Sequence, residues 1–107
     1  MEYNFTSDNF DREVMNSDIP VMVDFYAEWC GPCRMMLPIV ESMAEEYDGR
    51  IKIGKVNTDM SPDLAIQFGV SSIPSFIFVK GGEVVSSHVG GMNRESLRSM
   101  LDKLIAE

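Results

Sequence analysis

The sequence predicts an α/β fold in which a mixed β-sheet of about five strands is flanked on both faces by about four helices. Apolar strand-like segments alternate with helical stripes along most of the chain, a pattern typical of a sheet with helical crossovers. Residues 21–27 are apolar on both alternating faces except at Asp24, as in a central strand covered on both sides. Residues 80–83 enclose two glycines and predict a tight hairpin, so parallel strands in the N-terminal half should be followed by an antiparallel C-terminal pair.

The N-terminal segment predicts a weak first strand at residues 3–5, followed by a short helix. Phe10 and Val14 lie four residues apart and therefore share one face of a helix. Ser7 and Asp8 precede this pair, and both residue types favour the capping position that opens a helix. We therefore expect a capped first helix before the central strand.

The central strand leads into a longer helix with one apolar face. Pro38 lies inside this helix and predicts a kink, because proline removes a backbone donor and crowds the preceding turn. Asp48 and Gly49 provide the signal that ends the helix. The apolar stripe consists of Leu37, Val40, Met43, Ala44 and Tyr47.

The next two elements repeat the alternation of strand and helix. Residues 51–56 predict another buried strand. Ser61 and Pro62 then open a short helix, with a capping residue first and proline in the first turn, and Gly69 ends it.

The C-terminal segment contributes the hairpin and a last helix. The two hairpin strands are predicted at residues 76–79 and 84–89. Asn93 is expected to cap the helix that follows. One face of that helix is apolar, formed by Leu97, Met100, Leu101, Leu104 and Ile105.

Composition narrows the functional class before any motif is considered. The 107 residues carry 9 Lys and Arg against 17 Asp and Glu, a net charge of −8. Nucleic acids and anionic membranes bind basic faces, so neither is an expected partner. No apolar run approaches the roughly 18 residues of a membrane span, and the first residues lack a signal-peptide pattern. We expect one monomeric, cytoplasmic domain at residues 1–107.

The two cysteines lie between the central strand and the kinked helix. A Cys-x-x-Cys pair at such a junction indicates redox chemistry. Cys30 would lie at the helix N-terminus, where free N–H groups and the helix dipole favour the thiolate. Cys33 would lie one turn further in, buried and less ionised. This arrangement predicts that Cys30 attacks a target disulfide and Cys33 resolves the product.

Two other uses of the cysteine pair are weaker. A structural disulfide between Cys30 and Cys33 would close a four-residue loop, which stabilises a fold by only about 2 kcal/mol. A zinc site needs four ligands. The sequence offers one cysteine pair and a single histidine, His88, in a distant strand, so no metal is expected.

The cysteine motif and its context resemble the thioredoxin family along nearly the whole chain. The resemblance implies a thioredoxin fold and a protein-disulfide reductase that needs no bound cofactor. It also implies a thioredoxin reductase as electron donor, with ribonucleotide reductase, peroxiredoxin and methionine sulfoxide reductase as clients. The matching residues are Trp29-Cys30-Gly31-Pro32-Cys33, Asp24, Pro38, Ile73-Pro74, Lys55, Gly82 and Gly90.

Asp24 is a carboxylate in an otherwise apolar strand. Burying an ionised carboxylate costs several kcal/mol, so its pKa should rise. Family resemblance implies that Asp24 helps Cys33 lose its proton, through water, with Lys55 as its electrostatic neighbour. The alternative is an Asp at a strand edge whose side chain reaches water.

The resemblance also assigns roles to the residues around the dithiol. An X-Pro bond is cis in only about 5–6% of cases, but the resemblance implies a cis Ile73–Pro74 bond, with the backbone of Ile73 pairing an extended substrate. Trp29 and Gly90 would complete the substrate surface, while Gly31 and Pro32 shape the active-site turn. The glycines could equally serve as structural breaks, and Trp29 as a packing residue at the rim.

Two departures from the familiar family pattern lie close to the motif. Glu28 stands where many members have tryptophan, and Arg34 where lysine is common; both bear on the choice of partner. Two alternative functions stay open from the sequence. One is a non-enzymatic binding subunit, and the other is an oxidase or isomerase of the same fold.

Overall fold

The computed structural model describes residues 1–106 and contains a mixed β-sheet with helical segments on both faces. Its strands are β1 (Glu2–Asn4), β2 (Val21–Tyr26), β3 (Lys52–Asn57), β4 (Ser75–Lys80) and β5 (Glu83–Val89). Its helices are α1 (Gly31–Glu46), α2 (Pro62–Gln67) and α3 (Arg94–Ala106), with a π-helical segment at Asp11–Met15. The predicted fold class is confirmed.

The strand order β1-β3-β2-β4-β5 places β2 at the centre of the sheet. Strands β1, β3 and β2 run parallel, whereas β4 is antiparallel to β2 and β5 is antiparallel to β4. The hairpin turn has left-handed backbone at both central residues, with φ of 61° at Gly81 and 79° at Gly82. A two-residue turn of this kind favours glycine at both positions, which confirms the predicted hairpin.

Two apolar clusters, one on each face of the sheet, form the core. Met22 of β2 and Ile53 of β3 pack in one cluster with α1 and α3. Val23 packs in the other cluster with α2 and the π-helical segment. Because side chains alternate along a strand, Asp24 lies on the same face as Met22. Asp24 is therefore on the α1 side of the sheet.

The first helical segment contains Val14 as predicted but is not opened by the residues that the sequence suggested. Phe10 occupies the N-cap position of the π-helical segment Asp11–Met15, without a side-chain cap. The Ser7 hydroxyl instead donates a hydrogen bond of 2.6 Å to the Asp63 carboxylate. The capping role predicted for Ser7 and Asp8 is therefore wrong, because a distant partner takes the serine hydroxyl.

The other helix boundaries agree more closely with the prediction. The Asn93 side-chain oxygen accepts a 2.8 Å hydrogen bond from the backbone N–H of Ser96, so the predicted cap of α3 is confirmed. Helix α1 continues through Pro38. Ile105 is exposed, so the buried face of α3 is narrower than predicted.

Gly54 of β3 allows β1 to lie close against the sheet. A Cβ atom at this position would lie 2.5 Å from Phe5 Cε2 and 2.7 Å from both the Cβ and the carbonyl oxygen of Tyr3. We expect Gly54→Ala to lower the free energy of unfolding by about 2–3 kcal/mol through overpacking. Urea unfolding measures this change, and Gly91→Ala is the control, since its Cβ would meet nothing closer than 3.9 Å. Equal stability of the two variants would contradict the prediction.

Candidate active site

The cysteine pair lies where the central strand meets helix α1. Cys30 is the N-cap residue of α1, and its Sγ accepts a 3.2 Å hydrogen bond from the backbone N–H of Cys33. Pro32 occupies the first turn of the helix, where the backbone N–H that proline lacks would have no helical partner. The two cysteines form a disulfide with a Cα–Cα distance of 5.2 Å. The structure therefore represents the oxidised form.

The two sulfur-bearing residues differ in exposure. Cys30 is 6% exposed and Cys33 only 1%. An incoming protein can therefore reach Cys30 more easily than Cys33. Cys30 also has the position at the helix N-terminus, where backbone N–H groups stabilise a developing thiolate.

The loop before β4 lies against the disulfide. The Ile73–Pro74 peptide bond is cis, as the family resemblance predicted. The carbonyl oxygen of Ile73 lies 3.9 Å from Cys30 Sγ, and the backbone N–H of Gly90 donates a 2.8 Å hydrogen bond to the Pro74 carbonyl. Ile73 thus lies against Cys30 across 43 residues of sequence, and Gly90 is bonded to the neighbouring Pro74.

Trp29 lies beside the disulfide with its ring largely in solvent, at 70% exposure. Its indole N–H donates a 2.9 Å hydrogen bond to the Asp59 carboxylate. The sequence analysis did not identify Asp59, which follows β3 and carries no motif of its own. Gly31 also faces open space, since a Cβ there would have no atom within 4 Å.

Glu28 and Arg34 lie on the surface beside the motif and contact one another. The Arg34 guanidinium donates a 2.9 Å hydrogen bond to the Glu28 carbonyl oxygen. Both residues are exposed. The two residues that depart from the familiar family pattern therefore contact each other on the surface next to Cys33.

Asp24 is buried in the centre of the sheet, at 1% exposure. Neither of its carboxylate oxygens accepts a hydrogen bond from residues 1–106. Burial raises the pKa of Asp24 to about 7, the negative charge of Glu2 adds to this rise, and Lys55 opposes it. The alternative of a strand-edge Asp that reaches water is wrong, because β2 has a neighbour on each side.

Lys55 of β3 is the direct register partner of Asp24 on β2. Its ammonium lies 3.9 Å from a carboxylate oxygen of Glu2 and 5.4 Å from the centre of the Tyr26 ring. Lys55 and Cys33 also line the same pocket of about 150 Å³. The sequence analysis missed Glu2, because nothing in the first strand indicates which residue of the sheet it will face.

His88 of β5 lies beside the Phe76 ring, with ring centres 6.4 Å apart. Among residues 1–106, no group of three or more His, Cys, Asp or Glu side chains is arranged to hold a metal ion. None of the helices in this range is long and apolar enough to cross a membrane.

Known proteins resemble this chain over most of its length. A family model described as Thioredoxin matches residues 2–103. Thioredoxin 1 of Nostoc sp. is 48% identical over 92% of this chain and 92% of its own length. The thioredoxin of Porphyra purpurea is 46% identical over 94% of each chain. Thioredoxin M4, chloroplastic, of Arabidopsis thaliana is 41% identical over 97% of this chain and 54% of its own length. With its redox-active cysteine pair, the chain therefore belongs to the thioredoxin family and is a protein-disulfide reductase.

Proposed function

We propose that Cys30 is the nucleophile and Cys33 the resolving thiol of this reductase. The observation that supports these roles best is the difference in position between the two residues. Cys30 lies at the N-terminus of α1 with the larger exposure, whereas Cys33 is buried one turn further along. A protein client can approach only the outer sulfur, and the inner one is held next to it.

The proposed reaction transfers two electrons to the client. The Cys30 thiolate attacks one sulfur of the client disulfide, and the other client sulfur leaves as a thiolate that takes up a proton. The Cys33 thiolate then attacks Cys30 Sγ and expels the second client sulfur. The client ends as a dithiol and the protein as the Cys30–Cys33 disulfide. No cofactor takes part in these exchanges.

Asp24 is proposed to accept the proton of Cys33, with Lys55 as its electrostatic neighbour. Its pKa of about 7 makes the carboxylate a far better base near neutral pH than an ordinary aspartate. The pocket of about 150 Å³ that Cys33 and Lys55 share has room for a few water molecules, each of which occupies about 30 Å³. We propose that water relays the proton from Cys33 toward Asp24, whose register partner Lys55 lines the pocket.

The client is proposed to bind across the surface around Cys30. An extended segment would pair with the backbone of Ile73, while Trp29 and Gly90 contact its flanks. Pro74 holds its loop close to the disulfide, and Gly31 with Pro32 forms the turn between the cysteines. The high exposure of Trp29 and the contact between Ile73 and Cys30 support this surface.

Family membership implies a thioredoxin reductase as electron donor and disulfide-containing proteins in general as clients. We propose that the clients include ribonucleotide reductase, peroxiredoxin and methionine sulfoxide reductase. We also propose that the protein works as a monomer in the cytoplasm, where dithiols are kept reduced.

The reduction potential of the Cys30–Cys33 pair tests this function. We expect a value at or below the cytosolic glutathione poise, about −220 mV or lower. The measurement equilibrates the protein with a dithiol buffer and follows Trp29 fluorescence. A value near −120 mV would instead make the protein a disulfide donor, since such couples are strongly oxidising.

A further inference from the structure

We propose that Glu2 is a positioning residue that shares Lys55 with Asp24 and thereby keeps Asp24 able to take up a proton in the resolving step. The inference rests on the proposed role of Asp24 in proton transfer. Three adjacent strands contribute one charged residue each, and all three residues lie on the α1 face of the sheet.

The register of the sheet brings these residues together. Glu2 on β1 is opposite Ile53 on β3, and Asp24 on β2 is opposite Lys55 on β3. Residues 53 and 55 point to the same face because they are two apart on one strand. Ile53 packs in the cluster with α1 and α3, so Glu2, Lys55 and Asp24 lie on that side too.

Two carboxylates compete for one ammonium at this place. The Lys55 ammonium lies 3.9 Å from Glu2 Oε1, and the Glu2 side chain is only 13% exposed. The second oxygen of Glu2 and both oxygens of Asp24 are buried without a hydrogen-bond partner in the part of the chain that the structure describes. One ammonium cannot neutralise the negative charges of two buried carboxylates. Glu2 and Asp24 together therefore hold protons more tightly than the same carboxylates would in water.

The charges around the pair make Lys55 the shared cation. Burial raises the pKa of both Glu2 and Asp24, and Lys55 lowers it in each case. The other groups that act on Glu2 are Glu41 of α1, which raises its pKa, and the N-terminal ammonium, which lowers it. That ammonium lies 3.8 Å from Asp48. The groups that act on Asp24 are Glu2 and Lys55.

A purely structural role does not account for a carboxylate at position 2. A buried ion pair stabilises a fold most when both carboxylate oxygens have hydrogen-bond partners. Glu2 Oε2 has none among the described residues. The negative charge does have an effect on the neighbouring strand, since Glu2 raises the pKa of Asp24.

The test is a pH titration of the Asp24 carboxyl carbon by ¹³C NMR in the oxidised protein. The disulfide removes both cysteines from the titration, so Asp24 is observed without interference from the thiols. In Glu2→Gln we expect the midpoint to fall by about one pH unit, because one nearby negative charge is lost and Lys55 is no longer shared. Glu45→Gln is the matched control: it removes the same charge from an exposed position on α1 that is not among the groups acting on Glu2 or Asp24, and it should leave the Asp24 midpoint in place.

A kinetic measurement links the titration to the reaction. The rate at which Cys33 resolves a mixed disulfide, followed by stopped flow, should show its pH midpoint shifted downward in Glu2→Gln by the same amount. An unchanged Asp24 midpoint in Glu2→Gln, or an equal shift in Glu45→Gln, would overturn the inference. A shifted carboxyl titration with an unshifted rate profile would overturn the link to resolution. If the proposed function is wrong, the wild-type protein itself does not reduce disulfides. That result is distinct from the comparison of variants that tests the inference.

Discussion

Cys30→Ser should lose disulfide-reductase activity by at least about a thousandfold, as expected when an enzyme loses its nucleophile. A serine hydroxyl is not ionised near neutral pH, whereas the attacking species in thiol–disulfide exchange is a thiolate. The reduction of insulin disulfides, coupled to a chemical dithiol, measures the loss. Cys30→Ser removes the more exposed sulfur without adding volume, so the fold is expected to persist.

Cys33→Ser is the matched control for the assignment of roles. This variant also fails to turn over, but it should accumulate a covalent mixed disulfide between Cys30 and the client, detectable by mass spectrometry. Accumulation on Cys33 in the Cys30→Ser variant would reverse the proposed roles. A client-dependent function that survives Cys30→Ser intact would instead indicate a non-enzymatic binding subunit.

Asp24→Asn is expected to stabilise the folded protein by about 4 kcal/mol above pH 7. The pKa of Asp24 rises from 3.8 to about 7 on folding, and each pH unit between these values costs the wild type about 1.4 kcal/mol. The folded state binds this proton more tightly, so wild-type stability falls as the pH rises from about 4 to about 7 and is then constant. Asparagine does not titrate and escapes that loss.

Urea unfolding at pH 4 and at pH 8 measures the effect. The stability gap between Asp24→Asn and wild type should be small at the lower pH and large at the higher one. Asp18→Asn, at an exposed position, is the control and should differ from wild type by no more than about 0.5 kcal/mol. A gap of equal size at both pH values would mean that Asp24 ionises normally. Asp24→Asn should also slow the resolution of the mixed disulfide by Cys33, while the attack by Cys30 stays intact.

Features encoded by short stretches of sequence were predictable. The two-face apolar pattern around Asp24 identified the central strand, and the glycine pair at Gly81 and Gly82 identified the hairpin. The dithiol motif located the site, because position at a strand–helix junction follows from local signals. The cis bond before Pro74 required the family resemblance, since the residues themselves favour trans.

Features that depend on partners distant in sequence were not predictable. Ser7 has the residue type of a helix cap, but its hydroxyl bonds to Asp63, 56 residues away. Asp59 holds the indole of Trp29 across 30 residues. Glu2 gains its significance only from the pairing of β1 with β3. Periodicity identifies elements, but the register between elements is settled by the packing of the whole sheet.

The order of the strands has a consequence for the chain during synthesis. The dithiol motif leaves the ribosome before β3 and before the loop at Ile73, which lies 43 residues after Cys30. Chains grow at about 5–20 residues per second, so for several seconds the motif exists without Lys55 beside Asp24 or Ile73 beside the outer sulfur. On the proposed mechanism, the cysteines form a complete reductase only when β3 and β4 have both paired with β2. Catalytic competence would thus arise late in the maturation of the protein, after most of the sheet has been synthesised.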